Sequence, residues 1–254
     1  MGNKLLTLAR DLQRRKARER HGLFVAEGIR SVDELLRSPL TVRGALVTAQ
    51  LGDHPRGAEL LARLRDTGIA MEEVGPSEFE SAADTDSPQG VLAVGAVPAG
   101  KLSDLPRSES LRLLVLDAVQ DPGNVGTMVR TAAALGASAT FALPGTVDLW
   151  NAKVVRSGMG AHFHHPCFTG TWDDLESFRR ERDIDVWAAD AAGEPVAQTN
   201  PPSRLAIVVG NEGSGLSSLS RTRADRLVAL PLDAPVESLN VAVAAAILLY
   251  ELRP

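Results

Sequence analysis

A chain of 254 residues with 44% apolar side chains and ordinary glycine and proline content has room for two modest domains, which excludes a disordered or fibrous polymer. No apolar run approaches the roughly 20 residues of a membrane span, and no apolar segment follows the basic start, so neither an anchor nor a signal peptide is expected and the expected compartment is the cytoplasm. The net charge of −5 argues against nucleic-acid binding by overall charge, and a single cysteine, Cys167, excludes an internal disulfide or a cysteine-rich metal site and reads as a small half-buried hydrophobe.

The distribution of charge says more than its sum. Residues 1–20 carry seven cations (Lys4, Arg10, Arg14, Arg15, Lys16, Arg18 and Arg20) against Asp11 and Glu19, a local excess of +5. Leu5, Leu8 and Leu12 recur at helical spacing within it, which predicts a helix with a narrow apolar side and a cationic remainder. Such a patch can neutralise phosphates without reading sequence, or can be a solvated helix face. Apolar stretches at Leu23 to Ala26, Val42 to Thr48, Ile69 to Val74 and Gly90 to Val97 then alternate with amphipathic segments at Ile29 to Leu36 and Ala58 to Leu64, the pattern of a small α/β unit. The polar stretch from Pro98 to Ser110 reads as a linker.

The pattern then restarts. Leu111 to Val119 has strand length and runs into a helical stretch from Val125 to Leu135 that stops at Gly136. Strand signals follow at Ala139 to Leu143, Asp185 to Ala189, Leu205 to Val209 and Leu227 to Leu230. Helices are expected at Trp150 to Met159, Asp173 to Glu181 and Leu239 to Leu252. Strands alternating with helices imply a mostly parallel sheet covered on both faces. The expected organisation is a substrate-binding domain over 1–98, a linker over 99–110 and a second α/β domain over 111–254.

Three segments of the second domain carry chemistry. In Leu116-Asp117-Ala118-Val119-Gln120-Asp121-Pro122-Gly123-Asn124-Val125-Gly126-Thr127-Met128-Val129-Arg130-Thr131-Ala132 a buried strand ends in a turn that opens a helix, at the sheet edge where α/β proteins place their sites. Asn124 and Arg130 are its candidate polar groups, and each alone also reads as a cap residue or a surface cation. In Gly210-Asn211-Glu212-Gly213-Ser214-Gly215 three glycines permit close backbone approach to a ligand around one carboxylate. Their order is not the G-x-G-x-x-G of dinucleotide folds, although Asp233 follows at a distance that a ribose-binding acid would tolerate. The third segment joins Leu230-Pro231-Leu232 to Val236-Glu237-Ser238-Leu239-Asn240. Ser238 is a plausible N-cap for the last helix, with Asn240 in its first turn, and the alanines at 242, 244, 245 and 246 allow close packing.

Together, and in this order, the three segments resemble the signature motifs of the SpoU (TrmH-like) family of RNA 2′-O-methyltransferases. The resemblance covers residues 111–254 closely. Phe24-Val25-Ala26-Glu27-Gly28 and Asp86-Ser87-Pro88-Gln89-Gly90-Val91 are similar to the family's substrate-binding domain over shorter stretches. One departure is visible. Relatives commonly carry Arg-Ala-Ser-x-Gly-Ala where this chain has Arg156-Ser157-Gly158-Met159-Gly160-Ala161. The resemblance implies a SPOUT-type fold in which the C-terminal segment threads a deep trefoil knot, an exception to ordinary chain topology. It implies S-adenosylmethionine against Gly210, Leu230 and Leu239. It implies Asn124, Arg130, Glu212, Ser238 and Asn240 as catalytic residues, and a homodimer whose two subunits frame each site.

The expected reaction is in-line attack of a ribose oxygen on a sulfonium-bound methyl carbon, for which no metal is required. A guanidinium keeps its proton at pKa values above about 12, so Arg130 is expected to stabilise the developing alkoxide and a neighbouring phosphate rather than act as a base. Asn124 and Asn240 would orient the hydroxyl, and Glu212 would hold either Arg130 or its own loop. Arg14, Arg15, Lys16, Arg18 and Arg156 are the candidate RNA contacts. A full α/β N-terminal domain tilts the expected substrate toward ribosomal RNA. The alternatives are transfer RNA, a noncatalytic RNA-binding protein of the same fold and, on the glycine loop alone, a Rossmann-type oxidoreductase.

Overall fold

The computed structural model describes residues 4–233 and 238–253. In chain order its first elements are α1 (Lys4–Asp11), α2 (Arg15–His21), β1 (Leu23–Glu27), α3 (Ile29–Arg37), β2 (Val42–Val47), α4 (Pro55–Asp66), β3 (Met71–Glu73), α5 (Pro76–Glu80) and β4 (Val91–Ala96). They are followed by β5 (Leu111–Leu116), α6 (Pro122–Ala134), β6 (Ala139–Ala142), α7 (Ala152–Ser157), β7 (Cys167–Thr169) and α8 (Trp172–Arg182). The chain closes with β8 (Asp185–Pro195), β9 (Arg204–Val209), α9 (Ser218–Arg223), β10 (Arg226–Ala229) and α10 (Val241–Glu251).

Two compact units result. The first comprises residues 1–99 together with 150–164, and the second residues 100–149 and 165–254. The helix α7 therefore groups with the first unit, through Trp150 and Phe163 packed on Phe24 at ring-centroid separations of 4.6 and 5.8 Å. Within the expected linker, Leu102 and Leu105 are buried in the core of the second unit.

In the first unit a four-stranded sheet runs in the order β1-β4-β2-β3, with β4 antiparallel to both neighbours and β2 parallel to β3. Phe24 sits opposite Gly95 on the neighbouring strand. A side chain at Gly95 would meet the Phe24 ring at 2.5 Å, so the glycine makes room for that ring. The single N-terminal helix expected from the leucine spacing is instead two. Leu6, Ala9 and Leu12 are buried, and the chain turns after Leu12. The Arg18 guanidinium donates to the carbonyls of Leu12 and Gln13 at 2.8 Å each, satisfying acceptors that the end of a helix leaves open.

The second unit is built on a six-stranded, wholly parallel sheet ordered β10-β8-β9-β5-β6-β7. Strand β5 is buried along its whole length, as expected of a strand covered on both faces. It includes Arg112, whose guanidinium donates to the carbonyls of Leu111, Ser203 and Leu252, so a buried cation ties the end of α10 to the sheet. Burial lowers its pKa from the ordinary arginine value. Because β5 lies between β9 and β6, the strand order reverses there, and open parallel sheets leave a crevice for ligands at the carboxyl ends of such strands.

Candidate active site

The crevice beside β5 and β9 is built by two turns. After β5 the chain passes through Ala118, held at φ +56°, a left-handed conformation that is uncommon outside glycine. Asp121 then caps α6 by accepting from the Asn124 amide at 2.7 Å, with Pro122 at the first helical position. Because Asp121 takes the capping role, the side chain of Asn124 is left for other work. After β9, Asn211 and Gly215 exchange backbone hydrogen bonds of 2.9 and 3.0 Å, and the Asn211 side-chain oxygen accepts from the amides of Gly213 and Ser214. A Cβ on Gly210 would lie 2.4 Å from the backbone of Gly215, so only glycine fits this crossing.

The two turns are locked together by side chains. Glu212 accepts from the amides of Gln120 (3.2 Å) and Asp121 (3.1 Å) and from Asn124 Nδ2 (3.1 Å). The other end of the Asn124 amide, Oδ1, accepts from Asn240 Nδ2 at 3.0 Å. Asn240 Oδ1 in turn accepts from the amides of Ala242 and Val243. A continuous chain of hydrogen bonds thus joins the glycine loop, the start of α6 and the start of α10. Burial alone would raise the Glu212 carboxyl, but the bonds from Asn124 and the backbone amides outweigh it and hold its pKa below the ordinary glutamate value. Asp117 adds a second tie, accepting from the Ser217 amide (2.7 Å) and the Ser220 hydroxyl (2.6 Å).

Beside this network lies a cavity of about 310 Å³ whose wall includes Gly210, Glu212, Leu230, Ser238 and Leu239. Ala189, Ala191, Val228, Ala244 and Leu248 complete a largely small and apolar lining. The structure therefore gathers Gly210, Leu230 and Leu239 around one cavity, and Asn124, Glu212 and Asn240 at its edge. Ser238 is on the wall but is not the cap of the last helix: α10 begins at Val241 and its N-cap is Asn240, whose amide reaches two free helix N–H groups. Val236 and Glu237 of the same motif lie outside the described residues. Arg130 is exposed, makes no side-chain hydrogen bond or ion pair among the described residues and does not line the cavity. Six residues beyond Asn124, it leaves α6 about 120° around and about 9 Å along the helix. Glu212 holds the loop and Asn124, not Arg130.

The expected RNA contacts divide. Arg14 and Arg15 are exposed and paired with Asp11 and Glu19, and Lys16 is exposed without an ion pair among the described residues. Arg18 leaves this set, because it is buried and its guanidinium closes the turn between α1 and α2. Arg156 is paired with Asp84 at 2.8 Å. Sequence reasoning missed Asn211, Asp117 and Arg112. The first two carried a turn-and-cap signal, whereas nothing marks Arg112 as a buried cation before its partners, distant in the chain, are known.

Similarity to known proteins extends over both units. Residues 112–250 match the model of the SpoU rRNA Methylase family, and residues 3–93 that of the MRM3-like substrate binding domain. The chain is 36% identical to the 23S rRNA (guanosine(2553)-2′-O)-methyltransferase RlmP of Bacillus subtilis over 95% of its own length and 93% of that protein's. The SpoU methyltransferase AviRb from Streptomyces viridochromogenes, solved with the cofactor AdoMet, superposes with a TM-score of 0.88 at 27% identity, covering 99% of this chain and 97% of that one. An AdoMet-bound rRNA methyltransferase from Sinorhizobium meliloti gives 0.86 at 28% identity, covering 99% and 94%.

Proposed function

The chain belongs to the SpoU rRNA methylase family, and from that premise we propose that it transfers the methyl group of S-adenosylmethionine to a ribose 2′-hydroxyl of 23S ribosomal RNA. The observation that carries this reading is the hydrogen-bonded chain from Glu212 through Asn124 to Asn240, standing at the edge of a cavity lined by Gly210, Leu230 and Leu239. The donor set fits the cofactor: a space of about 310 Å³, apolar walls for the adenosine and methionine carbons, and a carboxylate close enough to favour a cation. Bound S-adenosylmethionine supplies a methyl carbon on a sulfonium, with a neutral thioether as leaving group.

The remaining work falls to side chains. Gly210, Leu230 and Leu239 line the space that holds the cofactor, and Gly210 shapes it by letting the Gly215 backbone cross closely. Arg130, free of any ion pair among the described residues, stabilises the alkoxide that forms as the 2′-hydroxyl gives its proton to solvent water, together with the adjoining phosphate. Glu212, Asn124 and Asn240 are positioning residues, since their polar atoms are used on one another, and Ser238 faces the same cavity.

Two features support a homodimer as the working unit. On α10, Leu248, Leu249 and Leu252 are buried, while Val243, Ile247 and Tyr250 are 48, 37 and 52% exposed and recur at helical spacing along one stripe. An apolar helix needs burial all round, and a second subunit supplies it. Arg130, absent from the cavity wall, would then serve a site completed across that interface. Arg14, Arg15 and Lys16 supply phosphate contacts from each subunit, and Arg156 a further cation. The C-terminal trefoil knot and a cytoplasmic location belong to the same reading. Among the described residues no helix is long and apolar enough to cross a membrane.

Calorimetric titration of the full chain with S-adenosylmethionine and with NAD tests the cofactor assignment. Saturable binding of the first alone is expected, and binding of NAD alone would overturn it.

A further inference from the structure

The first unit holds a second cavity, of about 270 Å³, that the chemistry above does not use. It lies where β1 passes into α3, and its wall includes Glu27, Arg30, Ser31, Gln89, Arg156 and Met159. The motif residues Glu27 and Gln89 build it. Glu27 is buried and accepts from the Asp84 amide and the Thr85 hydroxyl, which fixes the opposite rim. Gln89 spends its side-chain oxygen on the Ile29 amide at 2.9 Å, leaving its NH₂ as a pair of donors.

One group on the wall has no structural employment. Ser31 is 7% exposed, and among the described residues its hydroxyl has no hydrogen-bond partner. A buried hydroxyl left unpaired is costly, and a turn about its Cα–Cβ bond would let Ser31, which lines the cavity, pair with a ligand there. The charges say which ligand. Arg30 and Arg156 are offset by Glu27 and by Asp84, which pairs with Arg156, so the site is close to neutral and presents both donors and acceptors. Much of the remaining wall is carbon, with the Met159 thioether exposed at its edge. A phosphate would find little net charge and much apolar surface there. A flat heterocycle with donors and acceptors on its rim, able to lie against a guanidinium plane and a thioether, matches both features.

We infer that this cavity takes up one unpaired nucleobase of the RNA substrate, so that the first unit reads a looped-out nucleotide and does not hold RNA by phosphate contacts alone. The inference rests on the proposed RNA substrate and adds a specificity site to it.

The chain has four methionines, so methyl labelling gives a sparse spectrum in which Met159 reports on this cavity. Full-length protein would be titrated with guanosine and uridine, with inorganic phosphate, and with a stem-loop fragment of 23S rRNA. Nucleosides and RNA should shift the Met159 signal and phosphate should not. Ser31→Ala and Gln89→Glu, the latter keeping an acceptor for the Ile29 amide, should weaken the nucleoside shift. Each should raise KM for RNA about three- to tenfold, the scale of one lost hydrogen bond, with cofactor affinity unchanged. A Met159 signal that no nucleoside moves, or that phosphate moves as far, would overturn the inference, as would an unchanged KM in both variants. Methylation by a wild-type protein whose Met159 stays still would sink this site alone. The nucleoside titration decides the matter even for a chain that methylates no RNA.

Discussion

The two units use the same ingredients, strands and helices in alternation, to opposite ends. In the second, every strand runs parallel and the order reverses at β5, so turns near residues 120 and 212 and the helix start at 240 converge on one edge. In the first, β4 runs antiparallel to both neighbours, and most of the cations on α1 and α2 are tied to other groups, as Arg15 is to Glu19 and Arg10 to the Ser81 hydroxyl at 2.7 Å. A wholly parallel sheet collects polar groups from far apart in the chain at one end, where they can be locked to one another. The mixed sheet of the first unit brings no comparable set of polar side chains together at one strand end, and Arg14, Arg15 and Lys16 stay exposed on its surface. This contrast is why we propose that the second unit carries the chemistry and the first the recognition.

That contrast is broken most severely by losing the groups assigned to chemistry. Arg130→Ala should lower kcat on the order of a hundredfold or more, the usual effect of removing a donor to developing negative charge, and leave cofactor affinity within about threefold. Steady-state kinetics beside calorimetry checks this, and equal loss of both would move Arg130 into the cofactor site. Ile247→Glu on the exposed stripe of α10 should cut the mass measured by light scattering from about twice the chain mass to about one, with loss of activity. Full activity in a monomer would remove the second subunit from the site.

Smaller effects sharpen the comparison. His165, buried in the second unit with its Nε2 3.0 Å from the Thr140 hydroxyl, has its pKa pushed down from 6.5 to about 4 by burial. The unfolded chain binds the extra proton between those values. The stabilisation is thus complete above pH 6.5 and is lost as the pH falls toward 4, by up to about 3 kcal/mol. Urea denaturation across this range should show the decline, and His165→Gln should flatten it. In the first unit, alanine at Arg14, Arg15 and Lys16 together should weaken RNA binding about uniformly across sequences and reduce its salt slope, by fewer than about three ion equivalents because two of the three are already paired. Filter binding at several salt concentrations measures it. Burial pushes the Cys167 thiol up to about 12, so alkylation near neutral pH should be slow and Cys167→Ala nearly silent.

Much of this was legible in the chain, for identifiable reasons. The strands Leu111–Leu116 and Arg204–Val209 hold continuous apolar runs at 113–116 and 205–209, and helices such as α6 carry their own start in Asp121-Pro122, so local signals and global fold agree there. The short strand β7 and the helix α9 went unseen because Cys167–Thr169 and Ser218–Arg223 have too few residues for a periodic pattern. Ser238 was expected to cap α10 because Ser is a good cap, yet Asn240 sits where the helix starts and serves Asn124 with the other end of its amide. Arg18 looked like any cation in a basic segment, and only the break after Leu12 turned it inward. The site candidates Asn124, Glu212 and Asn240 were individually weak, and their mutual hydrogen bonds could not be read from residues more than eighty positions apart.

On the proposed reading this chain methylates ribose, and the locked turns of the second unit position the groups that do it. The direct measurement is mass mapping of ribose methylation on unmodified 23S rRNA incubated with S-adenosylmethionine and either the wild-type protein or Asn124→Ala. A 2′-O-methyl group at a discrete nucleotide is expected with wild type, and a loss on the order of a hundredfold with the variant. RNA left unmethylated by a wild-type protein that binds the cofactor, or full methylation by Asn124→Ala, would contradict that reading.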